Sequence, residues 1–404
     1  MELTARREDV KTFASILKNQ THHKHDVIVP STHLRMNDDG HFVIKDAPLP
    51  EGLLSTLREA GIASSEEERA TLPYRALEVA HSGLVQRLPI PAFKRPYDYM
   101  RDDNPALLAT VVNNYLDEIN KNLLVRTFRP EDEASGERGI LRAVLSDKYD
   151  VIDNYDVFMR ALKSLREAGL TPEVNCSLTH RNMWVEFSMP ELEIDASELV
   201  EGYSNPHVDP HDGRQIGQRG NSNVTPGFLL RNSEVGSGAF EIIPRLKILV
   251  CANGLIRRKD ALRKVHLGSQ MKSGVISFSD NVRRKAMEVT NAKVKEAVEY
   301  FITEEYVQDV IEDMMSKGAD ETLEHPKEAV TNAAATLGMT EDEEDELFDF
   351  FLRGGSQKKS AVPQAVTAMT QHLEDLDRAY ELESDAWDLM GHMDKLDVEP
   401  AREN

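Results

Sequence analysis

Two long apolar runs, joined by a short glycine-containing connection, constrain the fold of this chain more than any other feature. The runs cover residues 224–231 and 239–251, and Glu-Val-Gly-Ser-Gly at 234–238 lies between them. Strand-length apolar runs around such a connection are typical of a β-hairpin. A hairpin this apolar is not stable alone, because it needs further strands or helices to cover it. The sequence therefore predicts a larger sheet that contains this hairpin.

Other segments supply strands for that sheet. Apolar and β-branched residues predict strands over Leu123–Phe128, Gly139–Leu145, Val174–Leu178 and Met183–Met189. The pattern at 154–169 is helical, and a turn at 37–40 predicts a small hairpin near the N-terminus. Strands joined by hairpins favour antiparallel pairing. We therefore expect an α+β fold with a central antiparallel sheet, flanking helices and an acidic helical C-terminal domain.

Three regions follow from these patterns. Residues 1–120 are expected to form a helical region with the small hairpin. Residues 121–280 are expected to form the antiparallel-sheet core, and residues 281–404 a helical domain. The length of 404 residues is sufficient for two or three domains.

The distribution of charge changes abruptly along the chain. The whole sequence has a formal net charge of −22. Residues 256–295 nevertheless contain 11 Lys and Arg against 3 acidic residues, a net charge of +8. Residues 296–352 contain 18 acidic residues and 2 Lys, a net charge of −16. A protein this acidic does not coat nucleic acid with its whole surface, so any contact must use a local patch.

We call residues 256–285 the basic segment and predict that it contacts nucleic acid. Phosphate recognition needs Arg and Lys side chains that a scaffold holds in place. The predicted contacts are Arg257, Arg258, Lys259, Arg263, Lys264, Lys272, Arg283, Arg284 and Lys285. Two alternatives remain open: these cations pair with the acidic helices that follow, or they bind a protein partner.

Three segments carry a resemblance to a known family. They are Asn232–Phe240 with Leu249–Leu255, Arg142–Tyr149 with Ile152–Asn154, and Phe351–Gly355 with Gln364–Thr367. As a set they resemble the phage/plasmid-like protein family, a domain of unknown function found in phages, plasmids and actinobacterial mobile elements. The resemblance implies a mobile-element context and an α+β fold. It implies no catalytic residue.

A His-x-Asp pair at His207 and Asp209, followed by His211, predicts a metal site. Two imidazoles and one carboxylate form the facial triad of non-haem iron enzymes, and His266 is far enough along the chain to act as a distal ligand. The surrounding residues are polar and rich in glycine, so a solvated loop is the alternative interpretation.

Common catalytic and nucleotide-binding signatures are absent from the sequence. It contains no GxxxxGK[ST], no GxGxxG after a strand, no GxSxG and no HExxH. We therefore name no catalytic residue and expect no cofactor. The two cysteines are expected to be reduced and buried, and no apolar run is long enough to cross a membrane. These features predict a cytoplasmic protein, in the host cytoplasm if it is encoded by a phage.

The C-terminal sequence predicts one long helix that starts near Ser360. Apolar residues recur along it at steps of four and three, which is the spacing of a helix–helix seam. They are Val362, Val366, Met369, Leu373, Leu376 and Tyr380. The seam could pack on its own domain, or it could join two chains in a homo-oligomer.

Together these features predict a non-catalytic accessory protein of a phage or other mobile element. It would engage nucleic acid or a DNA-handling partner through the basic segment, and single-strand DNA binding or annealing is one concrete form. The alternatives are a metal-dependent enzyme that uses the His-x-Asp loop and a phage structural or interaction protein.

Overall fold

The computed structural model describes residues 1–45, 73–130, 138–197, 223–248, 253–256, 260–264, 274–275, 295 and 299–399. The strands are β1 (Ala5–Glu8), β2 (Lys24–Pro30), β3 (Leu34–Met36), β4 (Phe42–Ile44), β5 (Tyr74–Ala76), β6 (Asn122–Phe128), β7 (Gly139–Ser146), β8 (Glu173–Leu178), β9 (Met183–Ser188), β10 (Ile194–Asp195), β11 (Asn223–Asn232), β12 (Phe240–Ile248), β13 (Asn253–Ile256), β14 (Leu262–Lys264) and β15 (Gly274–Val275).

Helices flank the strands and form the C-terminal part of the chain. They are α1 (Val10–His23), α2 (Glu78–Val85), α3 (Lys94–Asp103), α4 (Pro105–Ile119), α5 (Asn154–Glu167), α6 (Glu304–Ser316), α7 (Pro326–Thr336), α8 (Glu341–Gly354), α9 (Ala361–Thr370), α10 (Leu376–Leu389) and α11 (Met393–Leu396). The α+β class and the helical, acidic C-terminal region are confirmed.

The strands form two sheets. The first sheet has the order β1-β8-β9-β11-β12-β13, with β10 paired to β11 and β14 paired to β12. The second sheet has the order β15-β2-β6-β7-β5-β4-β3. All pairings are antiparallel except that of β5 with β7, which is parallel. The second sheet pairs β2 with β6 along seven residues, so it joins parts of the chain on both sides of residue 120.

The long hairpin predicted at 226–251 lies inside the first sheet. Its strands β11 and β12 pair from Val224–Ile248 to Arg231–Glu241, and β11 also pairs with β9. The connection between them includes Gly236, whose φ of 82° favours glycine. The small N-terminal hairpin is also present, as β3 and β4.

Apolar side chains from the first sheet, from α1 and α5 and from the C-terminal helices form one continuous core. A second core lies between the second sheet and helices α2, α3 and α4. A small third cluster, which includes Ile28, Leu124, Leu145 and Val235, connects the second sheet to the turn after β11. The two sheets therefore meet at that turn.

Candidate functional site

Three short strands contain most of the described parts of the basic segment and the residues next to it. Residues 253–256 form β13, residues 262–264 form β14, and residues 274–275 form β15. Arg263 and Lys264 lie on β14. The other predicted contacts, Arg257, Arg258, Lys259, Lys272, Arg283, Arg284 and Lys285, lie outside the described residues.

The pairing of these strands shows where the basic segment is attached. Strands β13 and β14 both pair with β12 of the first sheet, at Arg245–Ile248 and at Phe240–Ile242. Strand β15 pairs with β2 of the second sheet, where Gly274 is opposite Ile28. The chain between β14 and β15 therefore starts on one sheet and ends on the other.

The His-x-Asp loop lies outside the described residues, so the metal prediction at His207, Asp209 and His211 stays a prediction. Within the described ranges, no group of three or more His, Cys, Asp and Glu side chains could hold a metal ion. Over the same ranges, no helix is long and apolar enough to cross a membrane.

The predicted C-terminal seam is largely buried. The chain forms two helices here, α9 and α10, because Asp375 caps α10 by accepting hydrogen bonds from the backbone of Asp377 and Arg378. Val362, Val366 and Met369 have no solvent exposure.

The remaining seam residues also pack inside the chain. Tyr380 is buried and stacks on Trp184 with ring centroids 4.5 Å apart, while Leu373 and Leu376 pack against the cores. Most of the seam therefore packs within the chain, as the first alternative expects, and self-association through it stays a prediction.

Two of the segments that carry the family resemblance converge on a cluster of buried charges. Arg126 on β6 has no solvent exposure. Its guanidinium group lies 2.7 Å from Oδ2 of Asp26 and 3.1 Å from Oδ1 of Asp153. It also donates a hydrogen bond of 2.6 Å to the backbone oxygen of Glu234, in the turn after β11. Arg142 donates to Oε2 of the same glutamate at 2.5 Å.

Local backbone geometry directs Arg142 towards this cluster. The register between β6 and β7 pairs Arg126 with Ala143 but Thr127 with Leu141, so Arg142 is the extra residue of a β-bulge. A bulge turns a side chain away from the regular alternation of a strand. The Arg142 guanidinium group also lies over the Phe128 ring, 4.0 Å from its centroid.

Glu234 is the centre of this arrangement. Its Oε1 accepts a hydrogen bond from the backbone nitrogen of Asn154 at the start of α5. Burial alone would raise its pKa, but the charges of Arg142 and Arg126 outweigh burial and hold the pKa of Glu234 well below its usual range. The carboxylate therefore stays ionised and paired, which makes this cluster a support for the fold rather than a reactive centre.

A second buried cluster lies where α10 meets the first sheet. Arg245 on β12 lies 3.2 Å from Glu186 and 3.5 Å from Glu383. One cation cannot fully compensate two buried carboxylates. Burial raises the pKa of Glu383 to about 7, against the charge of Arg245, whereas the pKa of Glu186 is lowered because Arg245 and the Tyr380 hydroxyl outweigh its burial.

Sequence reasoning did not predict either cluster. The signal was a charged residue within an otherwise apolar strand, as at Arg126 in Asn-Leu-Leu-Val-Arg-Thr-Phe and Arg245 in Ile-Ile-Pro-Arg-Leu. Such residues are rarely buried unless they are paired. The pattern indicates a buried pair, but it does not identify the partner.

Comparisons with family models, with curated proteins and with solved structures find no match for this chain.

Proposed function

We propose that this protein binds nucleic acid through the basic segment, as a non-catalytic accessory protein of a phage or other mobile element. The observation that carries the proposal is the attachment of this segment to both sheets. Phosphate contacts need cations that a scaffold holds in place, and strand pairing at Leu262–Lys264 and Gly274–Val275 anchors the segment at these two points.

The charge of the segment supports the same conclusion. Its surroundings in sequence are acidic, and a net charge of +8 over residues 256–295 opposes the net charge of −22 of the whole chain. Non-specific binding to a phosphate backbone is driven mainly by Lys and Arg side chains that neutralise phosphates and release counterions. Single-strand binding or annealing is the form we favour, because annealing proteins combine an antiparallel sheet with a basic groove; this is an argument by analogy of fold.

The test is a titration of labelled single-stranded and double-stranded DNA and RNA with the full chain, followed by fluorescence anisotropy. At ~50 mM salt we expect binding that weakens steeply as salt is added, because each phosphate contact releases counterions. Exchange of Arg257, Arg258, Arg283 and Arg284 for Glu should abolish binding while the circular dichroism spectrum stays unchanged.

A control variant changes the same amount of charge elsewhere. Lys11, Lys18, Lys163 and Lys327 are exposed and lie outside the basic segment. Their exchange for Glu should leave most of the affinity intact. Absence of binding at ~50 mM salt, or equal losses in the two variants, would refute the proposal and favour a structural or interaction protein.

A further inference from the structure

A cleft of about 580 Å³ opens at one end of the second sheet. It lies where helices α2 and α4 end, where β6 begins and where β7 ends. Its charged side chains are Arg87, Lys121, Asp147 and Lys148. Pockets that hold small ligands have volumes of roughly 300–1,000 Å³, so the cleft has room for a molecule of nucleotide size.

The cleft has a positive net charge, because the carboxylates among its lining residues are fewer than the cations. Three cations and one carboxylate line it, which leaves a net charge of +2. Arg87 is half-buried, and within the described residues its buried Nε has no hydrogen-bond partner. Burial alone accounts for the lowered pKa of Arg87, with no carboxylate to offset it. A buried N–H group without an acceptor is costly, and an anion in the cleft that accepts from Nε would remove that cost.

Helix ends explain part of this arrangement. Arg87 follows α2 and Lys121 follows α4, and the carbonyl groups at a helix C-terminus attract cations. This attraction does not satisfy the Nε of Arg87, nor does it account for Lys148, which follows a strand. The helix ends therefore favour cations here, while the planar fork of Arg87 remains available for an oxyanion.

Asp147 adds a requirement for hydrogen-bond donors on the ligand. Its side chain is 7% exposed, and its described hydrogen bond comes from the Ser146 hydroxyl at 3.4 Å, which is long. An ionised carboxylate can accept several hydrogen bonds. A ligand that fits this cleft therefore presents an anionic group to the cations and hydroxyl or amino groups to Asp147.

We propose that the cleft binds a phosphate-bearing ligand of nucleotide size, with its phosphate on Arg87, Lys121 and Lys148 and its sugar or base donors on Asp147. The phosphate comes either from a free nucleotide or from the end of a nucleic-acid strand. The second source fits the position of the basic segment, because Gly274 pairs with Ile28 and Ile28 pairs with Leu124, next to cleft residue Leu123. Two strand spacings place Gly274 about 10 Å from Leu124. The proposal does not rest on binding by the basic segment.

Calorimetric titration of the full chain tests this proposal with four probes: inorganic phosphate, AMP, ATP and a short oligonucleotide with or without a 5′-phosphate. We expect a nucleotide or the 5′-phosphorylated oligonucleotide to bind, and Arg87→Gln to weaken that binding at least tenfold. Tighter binding of AMP or ATP identifies a free nucleotide as the ligand, and dependence on the 5′-phosphate identifies a strand end. Asp147→Asn should weaken the binding of nucleotides relative to that of inorganic phosphate, because only nucleotides present hydroxyl or amino groups to this carboxylate.

Two further measurements distinguish a binding role from a structural one. Because Arg87 has no described partner, Arg87→Gln should leave the melting temperature unchanged or raise it, whereas a supporting residue would lower it. Lys163→Gln, on the exposed face of α5, serves as the matched control and should bind like the original protein. No binding of any probe at millimolar concentration, or equal binding by the Arg87→Gln variant, would overturn the proposal.

The basic-segment variant, with four Arg exchanged for Glu, separates the cleft from the basic segment. Loss of nucleotide binding in that variant would also overturn the assignment to the cleft.

Discussion

At the residue scale, the buried carboxylate of Glu383 has the chemistry that depends most on pH. It is buried, and the cation paired with it, Arg245, is closer to Glu186. Its Oε1 accepts hydrogen bonds from the hydroxyl of Thr370 and the amide of Gln371. These donors and Arg245 favour the ionised form, but burial and the negative charge of Glu186 outweigh them and favour the neutral form.

This environment predicts how stability depends on pH. The pKa of Glu383 rises from 4.5 to about 7 on folding, so the folded state binds a proton that the unfolded state releases. Proton binding by Glu383 therefore stabilises the folded state. This contribution is complete below pH 4.5 and is lost as the pH rises through 7. Glu383→Gln keeps the hydrogen bonds and cannot ionise. The variant should match the original protein near pH 5 and be more stable near pH 8, by up to about 3 kcal/mol.

Urea unfolding at both pH values measures this difference. Glu374→Gln, an exposed carboxylate in the connection before α10, is the control and should shift neither midpoint. A stability difference between the Glu383→Gln variant and the original protein that is the same at pH 5 and pH 8 would contradict the prediction.

At the scale of secondary-structure elements, close contact between β9 and β11 depends on one glycine. Gly227 lies in the middle of β11, opposite Ser188 of β9 and Arg245 of β12. A Cβ atom at this position would lie 2.0 Å from the backbone oxygen of Phe187. Backbone cannot move aside as a flexible side chain can, so an added methyl group would push the two strands apart.

We therefore expect Gly227→Ala to destabilise the protein by about 3 kcal/mol, at the upper end of overpacking costs. The matched control is Gly391→Ala, because no atom lies within 4 Å of a Cβ at that position. That exchange should stay within about 0.5 kcal/mol of the original. Chemical denaturation measures the stability of both variants. Equal stability of Gly227→Ala and the original protein would show that β9 and β11 separate at little cost.

The sequence predicted some elements well for identifiable reasons. Strands such as β6 and β7 have long apolar runs, and the predicted bounds differ from the observed ones by one residue at one end. Strand β1 was missed because long-range contacts hold it: Arg6 donates to Leu373 and Arg7 to Gln371. Such contacts leave no local pattern. Strands of two to four residues, including β13 and β15, are too short to show a period.

Other features depend on pairing that a local pattern does not encode. The sequence predicted one sheet, whereas the strands divide between two, because β2 pairs with β6 about a hundred residues away. The spacing of the C-terminal seam was correct for a helix, but the cap at Asp375 divides it into α9 and α10. Charged residues inside strands indicated buried pairs, and only the fold could supply the partners.

At the scale of the whole molecule, the two sheets are joined by a small apolar cluster and by the ion pairs around Glu234. Glu234 belongs to the hairpin of the first sheet, while Arg126 and Arg142 belong to the second sheet. The apolar cluster beside them is small. The ion pairs therefore contribute to the contact between the two sheets, together with the hydrogen bond from the Tyr149 hydroxyl to the backbone oxygen of Ser233.

This arrangement predicts that Glu234→Gln both destabilises the protein and separates its unfolding into two steps. The exchange leaves Arg126 and Arg142 buried with less compensation, and loss of one partner from a buried ion pair costs about 3–5 kcal/mol. Tryptophan fluorescence follows Trp184 on the first sheet and Trp387 on α10, whereas far-ultraviolet circular dichroism follows both sheets. The two signals should coincide in the original protein and diverge in the variant, with circular dichroism changing at lower urea as the second sheet unfolds first.

Glu167→Gln is the control. Its partner Lys163 is 70% exposed, so this exchange should leave both unfolding curves unchanged, because exposed pairs contribute little. Coincident curves for Glu234→Gln at the original midpoint would mean that the apolar cluster alone couples the sheets.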